Sequence, residues 1–120
     1  MAVEPSEIGG SHREARWRHA AGTLGAFGIA AGAFGAHALL NHPRIDTWKT
    51  AALYHVFHSI VLVVPGLQQR TRWLFISGIL VFSGSLYALV LFDEPRLGAI
   101  TPIGGLLLIA GWLSLGWSKR

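Results

Sequence analysis

The chain has 120 residues, of which 52% have hydrophobic side chains and only 13% are charged, and it includes 15 glycines. A soluble domain carries roughly 25% charged residues, because a small domain must cover a large surface with polar groups. The composition therefore excludes an ordinary soluble enzyme, a disordered chain and a nucleic-acid-binding module. The net charge of +4 is not gathered into one basic stripe, so it indicates membrane topology instead. The absence of cysteine excludes disulfides and thiolate chemistry.

Four apolar stretches approach the 20 or so residues that a membrane-spanning helix needs. They run from about His19 to Leu40, Thr50 to Leu67, Trp73 to Phe92 and Thr101 to Trp117. Residues 1–16 are predicted to form a short polar tail before a transmembrane domain of residues 17–118. Because the connectors are short, we expect an all-α, up-and-down bundle of four transmembrane helices in which consecutive helices are antiparallel.

The lysines and arginines that flank these spans are divided seven against three. The positive-inside rule then places both termini on the cytoplasmic side of a bacterial plasma membrane, or on the matrix side of a mitochondrial inner membrane. The seven are Arg13, Arg16, Arg18, Arg70, Arg72, Lys119 and Arg120, and the three are Arg44, Lys49 and Arg96. A signal peptide cleaved after Ala36-His37-Ala38 is a competing interpretation, although the apolar run is longer than the usual length of about 7–15 residues.

The first span repeats the sequence Gly-Ala-Phe-Gly after seven residues, which is close to two helical turns. In lipid, such a face of small residues lets a neighbouring helix approach closely. We therefore predict a packing seam at Gly25, Gly28, Gly32 and Gly35. His37 lies on the nearly opposite face with Ala26, Ala30 and Ala33. The later spans are predicted to pack through Gly78, Gly84, Gly104 and Gly111, and the third span turns Ile79, Leu86 and Val90 away from its small face.

The second span carries the most polar side chains, which are Tyr54, His55, His58 and Ser59. A helical wheel places His55 and His58 on the bundle face, about level with Gly32 and Gly28. One interpretation is that neutral imidazoles pack into the glycine groove and bond to the backbone or to Ser59. Another is that His55, His58 and His37 hold a metal or haem, or that the pair relays protons with Tyr54. Because no intramembrane carboxylate completes a ligand set, we predict no metal site and no cofactor.

Four segments resemble one known family in order and spacing. They are GAFGAHAL from Gly32, WKTAALYHVFHS from Trp48, FSGSLY from Phe82, and TPIGG from Thr101 continuing to Ala110-Gly111-Trp112. Over about Trp17 to Trp117 the chain is similar to the transmembrane protein 256 family, also called domain of unknown function 423. The resemblance implies four transmembrane helices, no established activity, and localisation to bacterial plasma membranes or to mitochondria. It also implies that His37 and His58 belong to the family motif, whereas the position of His55 varies.

The sequence contains no recognisable nucleophile–base pair, phosphate-binding loop or carboxylate dyad, so we do not expect an enzyme. We predict a non-enzymatic helical bundle whose partners are the lipid bilayer and either a second copy or a larger membrane complex, which it serves as an accessory or assembly subunit. A proton or small-solute transport module that uses the intramembrane histidines is one alternative. A haem- or quinone-binding redox subunit is the other. Nucleic acid is not an expected partner.

Overall fold

The computed structural model describes residues 5–117, and its side chains are described from residue 12 onward. These residues form four α-helices and one short 3-10 helix, with no strand among them. The α-helices are α1 (Pro5–Ala38), α2 (Ile45–Val61), α3 (Gln69–Leu91) and α4 (Thr101–Ser114), and the 3-10 helix is Pro95–Ala99. The all-α fold and the number of helices are therefore as predicted.

The N-terminal segment is helical from the first described residue, Pro5, and the polar stretch is continuous with the first apolar span. Farther along, Glu14 receives two hydrogen bonds from Arg72 of α3, at 2.9 and 3.0 Å. This polar stretch thus has a tertiary partner that its composition does not reveal. Residues 1–4 lie outside the described part of the chain.

α2 lies about five residues earlier than the predicted span of residues 50–67. Asp46 occupies its first turn, where a carboxylate interacts favourably with the helix dipole. At the other end, Pro65 disfavours a helical conformation for the residue before it. Gly66 then adopts φ 81°, a left-handed conformation that glycine tolerates best. The resulting helix of 17 residues is about 26 Å long, close to the shortest length that crosses a bilayer.

Consecutive helices pack as antiparallel neighbours, with α2 and α3 in the middle. The indole of Trp48 in α2 bonds to a carbonyl of α1, and the hydroxyl of Ser83 in α3 bonds to a carbonyl of α2. The hydroxyls of Ser85 in α3 and Thr101 in α4 are 2.6 Å apart. Within residues 5–117, the backbones of α1 and α4 do not approach each other. The bundle is therefore open, with α1 and α4 at its two edges.

α3 is buried on two sides, because α2 packs against one side and α4 against the other. Ile79, Leu86 and Val90, which lie opposite the small-residue face of α3, are between 2% and 8% exposed. On the α4 side, Gly78 and Ser85 are buried as well. Both faces of α3 are therefore buried, because α3 is a central helix, which a helical wheel cannot show.

Two segments of the described chain, Gln69–Leu91 and Pro95–Ser114, are long and apolar enough to cross a membrane. α1 and α2 do not meet the same test, because α1 is diluted by small residues and α2 is short and carries two histidines. Large apolar side chains are nevertheless exposed on every α-helix. Examples that are 60–67% exposed are Ile29, Ile60, Leu80 and Leu106.

The charged side chains of residues 12–117 lie at the two ends of the bundle and are unequally balanced. At one end, Arg44 Nε donates to Asp93 Oδ1 at 3.1 Å and joins the two connectors found there. That end carries three basic and three acidic side chains, Arg44, Lys49, Arg96, Asp46, Asp93 and Glu94. The other end, called the basic end below, carries five arginines and one carboxylate, Arg13, Arg16, Arg18, Arg70, Arg72 and Glu14.

Candidate functional site around the histidines of α2

His58 is 4% exposed, and both of its ring nitrogens are hydrogen-bonded within the protein. Nδ1 lies 2.7 Å from the Tyr54 carbonyl oxygen, which can only accept, so Nδ1 carries the proton. Nε2 lies 3.1 Å from the indole nitrogen of Trp112, which can only donate, so Nε2 offers its lone pair. The contacts therefore define a neutral imidazole in a single tautomer that links α2 to α4.

A groove between α2 and α4 passes directly over His58. It has a volume of about 720 Å³, and its floor is formed by α3 at Phe82. The Tyr54 ring stacks on Phe82 with a centroid separation of 4.7 Å, so aromatic faces form much of its wall. The groove is lined by Leu53, Tyr54, Phe57, His58, Phe82, Gly105, Leu108, Ile109 and Trp112. This surface suits an apolar, flat occupant far better than an ion.

His55 is 7% exposed and faces a different cleft, between α1 and α3. Its Nδ1 lies 2.9 Å from the Tyr87 hydroxyl, while its Nε2 has no hydrogen-bond partner among the described residues. The ring packs over Gly28 of α1, one turn away from the predicted level at Gly32. Ser59, one of the two kinds of partner proposed for the rings, donates to the backbone carbonyl of His55 at 2.7 Å.

The histidines predicted as a possible joint site are thus distributed among three environments. His55 lies in the α1–α3 cleft, His58 lies in the α2–α4 groove, and His37 is exposed near the end of α1. Among the described residues, no cluster of three or more metal-ligating side chains is present. Axial ligation by His58 would require breaking its bond to Trp112. The geometry therefore favours the interpretation of packed, hydrogen-bonded rings for His58.

Five of the predicted packing glycines lie where a Cβ atom would meet a neighbouring helix at less than 3 Å. At Gly28 it would lie 2.7 Å from Val56, at Gly111 it would lie 2.8 Å from Phe75, and at Gly104 it would lie 2.6 Å from the Cα atom of Phe82. The other two are Gly35, against the Trp48 indole, and Gly78, against Leu108. A side chain at any of these positions would therefore force its neighbour to shift, and at Gly104 that neighbour is backbone.

Two of the predicted packing glycines do not contact another helix. A Cβ atom at Gly32 or at Gly84 would have nothing within 4 Å, and one at Gly25 would make only an ordinary contact with Ser59 at 3.8 Å. The α1 seam instead has Leu24 and Ala31 between its glycines, since both of these pack against the core of the bundle. The seven-residue repeat identified the right helix, but Gly32 lies at the margin of the buried face.

The face of α1 opposite this seam is exposed along four helical turns. Its residues are small except for one imidazole, and they are Gly22, Ala26, Ala30, Ala33 and His37. Ile29 and Phe27 flank the face and are 67% and 65% exposed. Below, this surface is called the outer face of α1.

Several polar contacts that the sequence did not indicate join the helices. Thr71 and Ser114 hydroxyls are 2.6 Å apart between α3 and α4. Arg72 is 1% exposed, bonds to Glu14, and lies 5.2 Å from the ring centre of Trp17. The hydrogen bond from Arg72 is the main reason that the pKa of Glu14 lies below its ordinary value. Isolated hydroxyls and one arginine carry no spacing signal, so no sequence pattern could have paired them.

Apolar side chains on the outside of every helix and hydrogen-bonded polar groups inside define the class, a small all-helical membrane protein. Residues 31–105 match the family described as protein of unknown function DUF423, and the chain belongs to that family. The resemblance drawn from the four sequence segments is thereby confirmed.

Similar proteins occur in bacteria and in yeast. The UPF0382 membrane protein SH2409 of Staphylococcus haemolyticus is 44% identical over 98 residues, covering 72% of this chain and 80% of the relative. The UPF0382 membrane protein YwdK of Bacillus subtilis is 36% identical over 100 residues, covering 72% of this chain and 81% of the relative. The UPF0382 membrane protein C1782.12c of Schizosaccharomyces pombe is 34% identical over 114 residues, covering 82% of this chain and 96% of the relative. No solved structure matches the chain significantly.

Proposed function

We propose that this chain is a non-enzymatic integral membrane protein that crosses the bilayer four times and associates with another membrane helix through the outer face of α1. The observation that carries the proposal is that this face is of the small-residue type that packs helices in lipid, yet it is uncovered. On α3 and α4, by contrast, several small residues are packed against a neighbouring helix, for example Gly78 of α3 against Leu108 of α4. The partner helix belongs to a second copy or to a larger membrane complex.

The proposed topology has both termini on the cytoplasmic side of a bacterial plasma membrane, with a mitochondrial inner membrane as the alternative. It is supported by the excess of arginines at the basic end of the bundle. Single cysteines provide the test, because the natural chain has none. A label that cannot cross the membrane should reach Gln69→Cys from the side of the termini and Pro95→Cys from the other side. Labelling of both from one side would refute four spans.

Association through α1 is tested by comparing its two exposed edges. Ala30→Cys lies on the outer face of α1, and Leu106→Cys is 66% exposed on α4 at the other edge of the bundle. We expect oxidation in native membranes to crosslink the Ala30→Cys variant to itself or to a co-purifying protein, and to leave the Leu106→Cys variant uncrosslinked. Ala30→Leu should abolish the association without changing the helical content. Equal crosslinking at both positions would contradict the proposal.

The groove between α2 and α4 favours a second candidate function, the binding of a flat apolar molecule from the membrane, such as a quinone or haem. The aromatic lining and the volume of about 720 Å³ support it. Proton transport by His58 has less support, because both ring nitrogens are already bonded. The test is the absorption spectrum of the purified protein and of its organic extract. A chromophore present in the natural chain and lost in Gly105→Trp, which fills the groove, would establish this candidate, and a colourless protein without quinone would remove it.

A further inference from the structure

A second groove, on the outer side of α4 at the basic end, combines an apolar channel with an arginine at its mouth. It has a volume of about 310 Å³ and is lined by Arg70, Ala110, Leu113, Ser114 and Trp117. Ala110, Leu113 and Ser114 follow the i, i+3, i+4 pattern of one face of α4, and Trp117 continues this stripe just beyond the helix. Leu113 and Trp117 are 68% and 73% exposed, so the channel is open along its length to the surroundings of the bundle.

Arg70 is held in place at the mouth of this groove. Its Nη2 atom donates to the Gln68 side chain at 2.9 Å and to the Trp117 carbonyl at 3.1 Å. Gln68 in turn donates to the same carbonyl at 3.2 Å. The Nε and Nη1 donors of Arg70 have no partner among the described residues, although a guanidinium has five N–H groups to offer. Nε and Nη1 lie on different edges of the guanidinium, so each can donate a single hydrogen bond to an oxygen of an anionic group such as a phosphate.

The charges of the neighbourhood favour an anionic partner. Arg72 is neutralised by Glu14, but Arg13, Arg16, Arg18 and Arg70 at the same end have no carboxylate partner among residues 12–117. Arg70 lies in the first turn of α3 and Trp117 lies just beyond α4, so both residues flank apolar spans at the depth where headgroups are found. Ala110 and Leu113 continue from this point toward the middle of α4, where a hydrocarbon chain would lie.

We propose that this groove binds one anionic phospholipid, with its phosphate on Arg70 and one acyl chain along Ala110, Leu113 and Trp117. The charge of the basic end supplies the preference for an anionic over a zwitterionic headgroup. The apolar channel supplies the requirement for a lipid, as opposed to free phosphate. The site lies on α4, at the opposite edge of the bundle from the outer face of α1, so it is separate from the proposed association surface.

The experiment measures lipid binding to the purified full chain in mild detergent by native mass spectrometry. Phosphatidylglycerol and phosphatidylcholine with identical acyl chains are titrated separately, and glycerol phosphate is used as the chain-free probe. We expect one phosphatidylglycerol bound in preference to phosphatidylcholine, and no binding of glycerol phosphate. Arg70→Gln should weaken phosphatidylglycerol binding about fivefold. The matched control, Arg96→Gln, removes an exposed arginine paired with Glu94 at the opposite end and should change binding less than twofold.

Ala110→Phe provides an independent test, because it fills the acyl channel and leaves every charge in place. It should weaken binding at least as much as Arg70→Gln, with an unchanged circular dichroism spectrum. Equal retention of the two lipids by the natural chain would overturn the proposal. It would also be overturned if glycerol phosphate bound as well as the lipid, or if neither variant weakened binding. None of these outcomes bears on crosslinking through Ala30→Cys, so failure here is distinguishable from failure of the proposed association.

Discussion

The α3–α4 pair and the α1–α2 pair both pack through glycines, but their interfaces are completed differently. α3 and α4 are joined near both ends by hydroxyl pairs, Thr71 with Ser114 and Ser85 with Thr101, each at 2.6 Å. Between α1 and α2, the side-chain hydrogen bond found among the described residues is the one from the Trp48 indole to an α1 carbonyl, at 2.7 Å.

The α3–α4 interface is complete, whereas the packing of α1 is incomplete. In a membrane, polar groups cannot turn to water, so paired hydroxyls fix the register of α3 against α4. α1 contacts the bundle along one face only, while its outer face has nothing packed against it within the described chain. We therefore expect substitutions in the α3–α4 interface to affect folding most strongly, and substitutions on α1 to divide into those that affect folding and those that affect association.

The largest effect is expected at Gly104. A Cβ atom there would lie 2.6 Å from the Cα atom of Phe82, so Gly104→Ala must push backbone away from backbone. We expect a loss of about 3 kcal/mol of unfolding free energy. Gly84→Ala is the control, because a Cβ atom meets nothing within 4 Å and alanine favours a helix. Denaturant unfolding in detergent, followed by circular dichroism, measures both, and equal stabilities would contradict the packing described for α3 and α4.

Two glycines on α1 test the position of its seam. Gly28→Leu should cost about 1–3 kcal/mol of unfolding free energy, because the added side chain collides with Val56 and the His55 ring. Gly32→Leu should cost less than about 0.5 kcal/mol, as expected for a change away from the core. The same unfolding assay compares them. A larger loss at Gly32 than at Gly28 would restore the original prediction of a seam through all four glycines.

Substitutions of the two α2 histidines are expected to cost different amounts of unfolding free energy, according to the hydrogen bonds that each ring makes. His58→Ala should cost about 1–3 kcal/mol, because it leaves a cavity and an unpaired Trp112 indole. His58→Gln should be milder, since an amide can still accept from that indole. His55→Phe should cost less than His58→Phe, because it loses one hydrogen bond where His58 loses two. The reverse order would contradict the hydrogen bonds described for the two rings.

The smallest effect is a pH dependence at the basic end. The hydrogen bond from Arg72 lowers the pKa of Glu14 below the ordinary 4.5, so this contact stabilises the protein above pH 4.5 and is lost as the pH falls through the lowered pKa. The fluorescence of Trp17, which stacks on Arg72, should change in that acid range and should no longer do so in Glu14→Gln. Glu94→Gln is the control, since Glu94 bonds to Arg96 two residues away and joins no two helices.

The sequence predicted what depends on local pattern and missed what depends on which helices are neighbours. The prediction of which face of α2 turns toward the bundle was correct, because His55, His58 and Ser59 are all buried. The packing of α3 on two sides could not be predicted, since such a helix shows the same helical wheel as one packed on a single side. The Arg72–Glu14 pair, 58 residues apart, was unpredictable because charge counts favour an exposed arginine and a solvated tail. His55 and His58 lie in two different clefts because of where α1 and α4 pack. The spacing of residues along the sequence does not reveal that placement.

The length of α1 has a mechanical consequence. Its 34 residues make a rod of about 51 Å, against a hydrocarbon thickness of about 30 Å, so with the proposed topology about 20 Å of helix stands clear of the hydrocarbon layer. The hydrogen bond that Arg72 donates to Glu14 braces the part of this rod nearest the bundle. A domain or label fused ahead of Pro5 would therefore be attached to the end of a long helix that is held against the bundle. A small tilt of α1 within the membrane would displace it by several ångströms.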